Sequence, residues 1–311
     1  MNLNPDDYQS REEFWLSVSR FLDSGESLEM FVRDKVLGTK IRNGQLSLLY
    51  GSAEDSKRRF WLKVNPKDIR SAAMTALCYG SYEPMVEKIF TRAIGEASFF
   101  LDAGANSGFY SLLARVTNPQ AKVIAIEPNP EVAMVLFDNL NSNNQSDYVD
   151  ILNCAIFDKR GSEKLIVPNF SGSAAGSMSR LHPEEKVESI FQIETILIDD
   201  VASNLPQLDL IKMDIEGAEF QALQGAEQTL TRLQPVIIVE LLRKWMKYFS
   251  ANPQDVFIYL SSLGYQCFAI GRQSLYRITE MNDNIEATNF LFLPSKHVAS
   301  RYLEELTDIS T

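Results

Sequence analysis

Four separated stretches of this chain carry residues whose types and spacing could do chemistry. In Phe99-Phe100-Leu101-Asp102-Ala103-Gly104-Ala105-Asn106-Ser107-Gly108 an apolar run ends in an acid, and two glycines follow four positions apart. Gly104 lets the chain turn and lets backbone come close to a ligand. The helix expected directly afterwards offers free N–H groups and a positive dipole end. The Gly-x-x-x-Gly spacing is not the Gly-x-Gly-x-x-Gly of dinucleotide binders, so a pyrophosphate site and a nicotinamide-dependent oxidoreductase are disfavoured. The second stretch is Lys122–Ile126, another apolar run, ending in Glu127-Pro128. A carboxylate at the end of a second strand can accept both hydroxyls of a ribose. The plain alternative is a helix N-terminal acid, because Pro128 and Pro130 open the next helix. In the third, Asp209-Leu210-Ile211-Lys212-Met213-Asp214-Ile215-Glu216-Gly217-Ala218-Glu219, a strand delivers three acids at its carboxyl end. Glu219 fits the first turn of a helix, whereas Asp214 stands where the strand leaves the sheet. Glu240 ends the fourth stretch, the apolar run Val236–Glu240.

These acids need a scaffold, and the hydropathy pattern supplies one. From Ser98 onward, strand-like runs recur at Phe99–Leu101, Lys122–Ile126, Val149–Cys154, Leu208–Met213, Val236–Leu241, Gln266–Ile270 and Asn289–Leu293. Helical periodicity lies between several of them, at Phe109–Val116, Glu131–Asn141, Glu219–Leu233 and Pro253–Leu263. Near-continuous apolar strands such as Val-Ile-Ile-Val are buried on both faces, as in a parallel sheet. The expectation is an α/β sandwich with a mostly parallel sheet and a ligand outside the carboxyl ends of its strands. Residues 1–80 have another rhythm. Arg11–Asp23 reads as an amphipathic helix, and Leu46–Tyr50 and Arg59–Val64 as short strands, before a helix over Glu83–Ile94. The division expected is a cap over 1–80, a main domain over 81–296 and a tail over 297–311. The small-residue segment Phe170–Ser179 reads either as a surface loop or as a lid over the site.

With 311 residues, 45% hydrophobic and 23% charged, the chain has the composition of a folded globular protein. A net charge of −11 argues against sequence-independent nucleic-acid binding. Met1–Glu13 is polar and acidic, unlike a signal peptide, and no apolar run has the length of a membrane helix. Three widely spaced cysteines, Cys78, Cys154 and Cys267, suggest neither a disulfide framework nor a metal site. A cytoplasmic protein acting on a small molecule or glycan is expected; the sequence leaves its oligomeric state open.

Taken in order, the stretch Phe100–Ser111, then Ile126-Glu127-Pro128-Asn129-Pro130, then Asp209–Glu219 with Leu223-Gln224-Gly225-Ala226 and Pro235–Glu240, resembles the FkbM family of S-adenosylmethionine-dependent methyltransferases. The likeness covers roughly Tyr82 to Pro294. It implies a seven-stranded Rossmann-like class I methyltransferase sandwich with one antiparallel strand, and O-methylation of a sugar or sugar-bearing metabolite. By position, Asp102, Gly104, Asn106 and Gly108 would surround the methionine part of the cofactor, and Glu127 would hold its ribose. The turn Cys154-Ala155-Ile156 would lie along the adenine with Asp158 nearby. Glu83 of the Tyr82-Glu83 pair either closes the methionine end or is an exposed helix-start acid.

Methyl transfer to a hydroxyl needs alignment and a base. Asp214 is the first candidate base, Glu240 the second and His182 the third, although a lone histidine in a polar loop is ordinarily just solvated; His297 is set aside. Asp214 and Glu240 could instead share one Mg²⁺, but Leu241-Leu242 follows Glu240, which leaves a third ligand unidentified. A non-catalytic scaffold that keeps the cofactor fold is the competing reading.

Overall fold

The computed structural model describes residues 34–65, 71–168, 177–178 and 187–295. The helix expected over Arg11–Asp23, His182, His297 and most of Phe170–Ser179 lie outside them. Three antiparallel strands come first: β1 (Val36–Arg42), β2 (Gln45–Gly51) and β3 (Arg59–Lys63). Helices α1 (Ala72–Tyr79) and α2 (Pro84–Ile94) lead to β4 (Phe99–Ala103), α3 (Phe109–Thr117), β5 (Lys122–Ile126), α4 (Pro130–Ser142) and β6 (Val149–Leu152). A small sheet follows from β7 (Ala155–Ile156), β8 (Gly161–Pro168) and β9 (Val187–Ile196). The rest runs α5 (Ile198–Ala202), β10 (Leu210–Met213), α6 (Glu219–Gln224), α7 (Glu227–Arg232), β11 (Val236–Glu240), α8 (Arg243–Met246), α9 (Pro253–Ser262), β12 (Tyr265–Ile270), β13 (Leu275–Ile278) and β14 (Asn289–Pro294).

The central sheet has the order β13-β12-β14-β11-β10-β4-β5-β6. Strands β11, β10, β4, β5 and β6 are mutually parallel, and β14 is inserted antiparallel between β11 and β12. This is the expected seven-stranded α/β sheet, extended by one edge strand: β13 folds back on β12 as a hairpin. From β4 the chain winds outward through β5 and β6, then returns to lay β10 and β11 on the other side. The order therefore reverses between β4 and β10, and a crevice opens beyond their carboxyl ends.

The strands form because both their faces are covered. On one side, Phe100, Leu210, Val236 and Ile238 pack with α1, α2, α3 and the inner face of β1–β3; on the other, Leu101, Ile211, Ile237 and Val239 meet α6, α7 and α9. Each fully buried Leu, Ile or Phe contributes about 1.5–3 kcal/mol. Two of the helix starts are capped by asparagine: Asn129 accepts from the Glu131 N–H at 3.0 Å, and Asn252, just before Pro253, forms a capping box with Asp255. The single helix expected over Glu219–Leu233 is instead two. Gly225 breaks it, because the chain there presses on the carbonyl of Phe157, where a Cβ would not fit. No helix among the described residues is long and apolar enough to cross a membrane.

Candidate active site

A cavity of about 620 Å³ opens at the strand-order reversal, within the range of small-molecule sites. Its wall brings together Glu83, Asp102, Gly104, Asn106, Glu127, Ala155, Asp214 and Glu240, residues from seven separate elements and loops. Gly108 and Asp158 are not on it. Gly108 starts α3 in a left-handed conformation, φ 88°, and a Cβ there would stand 2.5 Å from Leu136 Cδ1, so this glycine serves helix packing. Asp158 is exposed beyond β7.

The loop after β4 is fixed by its own chemistry. Gly104 has φ 81°, and a Cβ on it would run into the carbonyl oxygen of Asp214. The close approach it permits is therefore between two loops of the protein, which brings the end of β10 against the end of β4. Asn106, also left-handed at φ 49°, donates its N–H to Glu127 Oε2 at 2.9 Å, and its side chain accepts from the Ser107 N–H at 2.6 Å. Asn139 of α4 donates to the Ser107 carbonyl at 2.8 Å. Glu127 Oε1 accepts from the Asn129 N–H at 2.9 Å. Each carboxylate oxygen thus has one backbone donor and keeps acceptor capacity toward the cavity. Burial pushes the Glu127 carboxyl up to about 7, against the pull of those two N–H groups. Beside Glu127 the wall is apolar, with Ile126, Pro128, Cys154, Ala155 and Ile156.

At the opposite end the floor is charged. Asp102 accepts from the Ser111 hydroxyl at 2.6 Å, and burial raises it to about 6. Glu83 is only partly exposed, and it accepts from the Tyr110 hydroxyl at 2.6 Å. Glu83 lines the cavity. Its backbone is left-handed, φ 42°, at the start of α2. Burial raises its carboxyl, with Lys212 opposing. Asp214 and Glu240 follow paired positions of β10 and β11, Met213 standing opposite Val239, so the two acids end adjacent strands. Burial and then the Asp214 charge hold the Glu240 carboxyl well above its ordinary range. Among these acids lies Lys212, 1% exposed, with Nζ 3.9 Å from Asp214 Oδ2. Burial works against its charge, but Asp214, Glu83, Glu240 and Asp102 outweigh it and raise its pKa.

The same arrangement gives the Mg²⁺ alternative no support. The ammonium of Lys212 already supplies positive charge between the acids, and the described residues hold no group of three or more His, Cys, Asp or Glu suited to a metal. The donor set does not fit a divalent ion. Of Phe170–Ser179, the described Ser177 and Met178 line the cavity. Ser177 pairs with Ile166 and donates its hydroxyl to the Glu216 carbonyl at 3.2 Å. Sequence reasoning assigned no role to Lys212, Tyr110, Trp245 or Asn289, all on the wall. Only Lys212 left a signal, as a charge inside the buried strand Leu210–Met213, a position lysine almost never takes unless paired.

Fold and site together define an α/β protein with a cofactor-sized crevice at the switch point of a doubly wound sheet. The Methyltransferase FkbM domain matches residues 102–267, a little over half of the chain, and the chain belongs to that family. It is 31% identical over 174 residues to "Methyltransferase sdnD" of Sordaria araneosa, a match spanning 46% of this chain and 65% of that protein. It is 29% identical over 145 residues to "2-O-methyltransferase NoeI" of Sinorhizobium fredii (strain NBRC 101917 / NGR234), spanning 42% and 58%. The chain thus aligns with less than two thirds of either relative's length. The crystal structure of methyltransferase FkbM from Methylobacillus flagellatus KT is 20% identical, with TM-score 0.40, covering 63% of this chain and 43% of that one.

Proposed function

We propose that this protein is an S-adenosylmethionine-dependent O-methyltransferase whose acceptor is a hydroxyl of a sugar or glycosylated metabolite. The carrying observation is one cavity with Glu127 and an apolar slot at one end and Asp214 beside Glu240 at the other. A diol-accepting carboxylate and a slot for a flat base suit a nucleoside; the charged floor suits an amino acid. Family membership and the name of the 2-O-methyltransferase relative support the reaction and the choice of oxygen. When bound, S-adenosylmethionine supplies an electrophilic methyl group on a positively charged sulfur.

The residues of this chain do the rest. Glu127 fixes the ribose, and the Asp102–Ser107 loop cradles the amino-acid end. Asp214, 29% exposed at the cavity, takes the hydroxyl proton as the acceptor oxygen attacks. Glu240, raised by burial and by Asp214, is the less ready base near neutral pH and holds a second acceptor hydroxyl. Trp245 offers a flat face and Asn289 an amide for a polyhydroxylated ring. Titration with S-adenosylmethionine tests the reading. Micromolar binding is expected, and it is lost in Asp102→Ala and Glu127→Ala variants that still unfold cooperatively; absence of binding to the folded wild type would reject it.

A further inference from the structure

Tyr82 is a cavity residue without a task in cofactor binding or proton removal. It lies on the wall and is partly exposed there. Its backbone N–H donates to the Tyr50 hydroxyl at 3.3 Å. Its ring stands edge-on to Phe109, with centroids 4.9 Å apart, and tilted to Tyr110 at 6.2 Å. The front sheet and α3 therefore hold the residue, while its hydroxyl has no hydrogen-bond partner among the described residues. The acids that act most on that hydroxyl are Glu83, Asp214, Glu240 and Glu216, which places it at the end of the cavity away from Glu127. Together with burial they hold the phenol well above its ordinary value, so it keeps its proton and stays a donor. Asp214 and Glu240 end adjacent parallel strands, which lie about 4.8 Å apart. That interval suits two neighbouring oxygens of one ring, each bonded to one acid. A hydroxyl needs an acceptor for its proton and can take a donor on its lone pairs. Glu240, protonated or not, offers the first, and Tyr82 offers the second. An ether oxygen, or a carbon without oxygen, leaves at least one of the two groups unpaired.

We infer that Tyr82 and Glu240 together read a free hydroxyl on the acceptor, next to the hydroxyl that gives its proton to Asp214. The substrate class is then a ring bearing a vicinal diol, and each diol is methylated once. This assignment rests on the acceptor reading above and narrows it. After one round the product carries a methoxy group. Turned over, it would present that group to Glu240 and Tyr82, with no proton for Glu240 and an added methyl between the two side chains. Leaving both groups unpaired is enough to shift kcat/KM about 10- to 100-fold.

Methyl transfer from S-adenosylmethionine to the methyl pyranosides of glucose, galactose, mannose and rhamnose tests it, each compared by kcat/KM with its monodeoxy and mono-O-methyl derivatives. On a glycoside that it methylates, wild type is expected to lose about 10- to 100-fold when the neighbouring hydroxyl is removed or capped. It should form no product with two adjacent methoxy groups. Tyr82→Phe should lose about 10-fold on the diol, chiefly through KM, and discriminate less against the deoxy and methoxy analogues by the same factor. The variant keeps the ring contacts and the bond to Tyr50, so its unfolding temperature and its affinity for S-adenosylhomocysteine should match wild type. Undiminished discrimination in Tyr82→Phe, wild-type turnover of the deoxy glycosides, or adjacent dimethylation overturns the assignment. A wild type that binds S-adenosylhomocysteine yet methylates none of these glycosides rejects the sugar-acceptor reading, and the assignment with it. If S-adenosylhomocysteine does not bind folded wild type, the cofactor reading itself is what fails.

Discussion

At the scale of single residues, Asp214 and Gly104 act on each other. Gly104 has φ 81° and no room for a Cβ beside the Asp214 carbonyl. Gly104→Ala is expected to cost about 1–3 kcal/mol from the backbone conformation alone, and more as the end of β10 is pushed away. Gly108→Ala, which meets the tip of a leucine side chain, should lower the unfolding temperature less. Differential scanning calorimetry of the two variants checks the order. Asp214→Asn should reduce methyl transfer by about 10²–10⁴-fold, the usual contribution of a general base, with cofactor affinity nearly unchanged. Equal turnover in wild type and variant would remove Asp214 from the base role. Asp102, Glu127, Asp214 and Glu240 were legible in the sequence because each is an acid at the end of an apolar run. Lys212 carried a visible anomaly but no readable role, since the acids around it come from α2, β4, β10 and β11, and no spacing rule joins those.

At the scale of elements, the turn between β10 and α6 holds a buried acid with a purpose of its own. Glu219 is 2% exposed, and its Oε1 accepts from the N–H groups of Ile215 at 3.2 Å and Gly217 at 3.1 Å, which sets the turn that carries Asp214 and Glu216. Burial raises its carboxyl to about 7, above the 4.5 of an ordinary glutamate. The folded state therefore holds the proton more tightly than the unfolded one, so this group's stabilisation is complete below about pH 4.5 and is lost as pH rises through 7. Glu219→Gln keeps an oxygen for both N–H groups and does not ionise. Its loss of unfolding free energy between pH 4.5 and pH 7.5 should be smaller than that of wild type by about 1–3 kcal/mol. Urea denaturation at the two pH values measures this, and parallel behaviour of the two proteins would contradict it. The parallel strands were readable because burial on both faces leaves an unbroken apolar run. The β8–β9 pair was not, because half of each strand faces outward and its run is mixed. The break at Gly225 was hidden because its cause, the Phe157 carbonyl, is distant in sequence.

At the scale of the whole molecule, the strands β1–β3 are joined to the site through a buried hydrogen-bond chain. The Tyr50 hydroxyl donates to Glu87 Oε2 at 2.6 Å and accepts from the Tyr82 N–H at 3.3 Å, while Lys35 pairs with Glu87 at 3.2 Å. Tyr50, Phe60, Tyr82 and Phe109 interlock edge-on or tilted in the same core. Tyr50→Phe leaves a carboxylate oxygen and an N–H without their partner, at about 1–3 kcal/mol, and frees the segment that aims Glu83. The expected result is lower stability together with a several-fold weaker affinity for S-adenosylhomocysteine; loss of stability alone would show that the front strands do not tune the site. The crevice at the β4–β10 reversal is the proposed cofactor site. A crystal structure of the complex with S-adenosylhomocysteine tests it most directly. Both ribose hydroxyls are expected within hydrogen-bond distance of Glu127, with the sulfur facing Asp214 and Glu240; a ligand bound with Glu127 unengaged, or outside this crevice, would overturn that assignment.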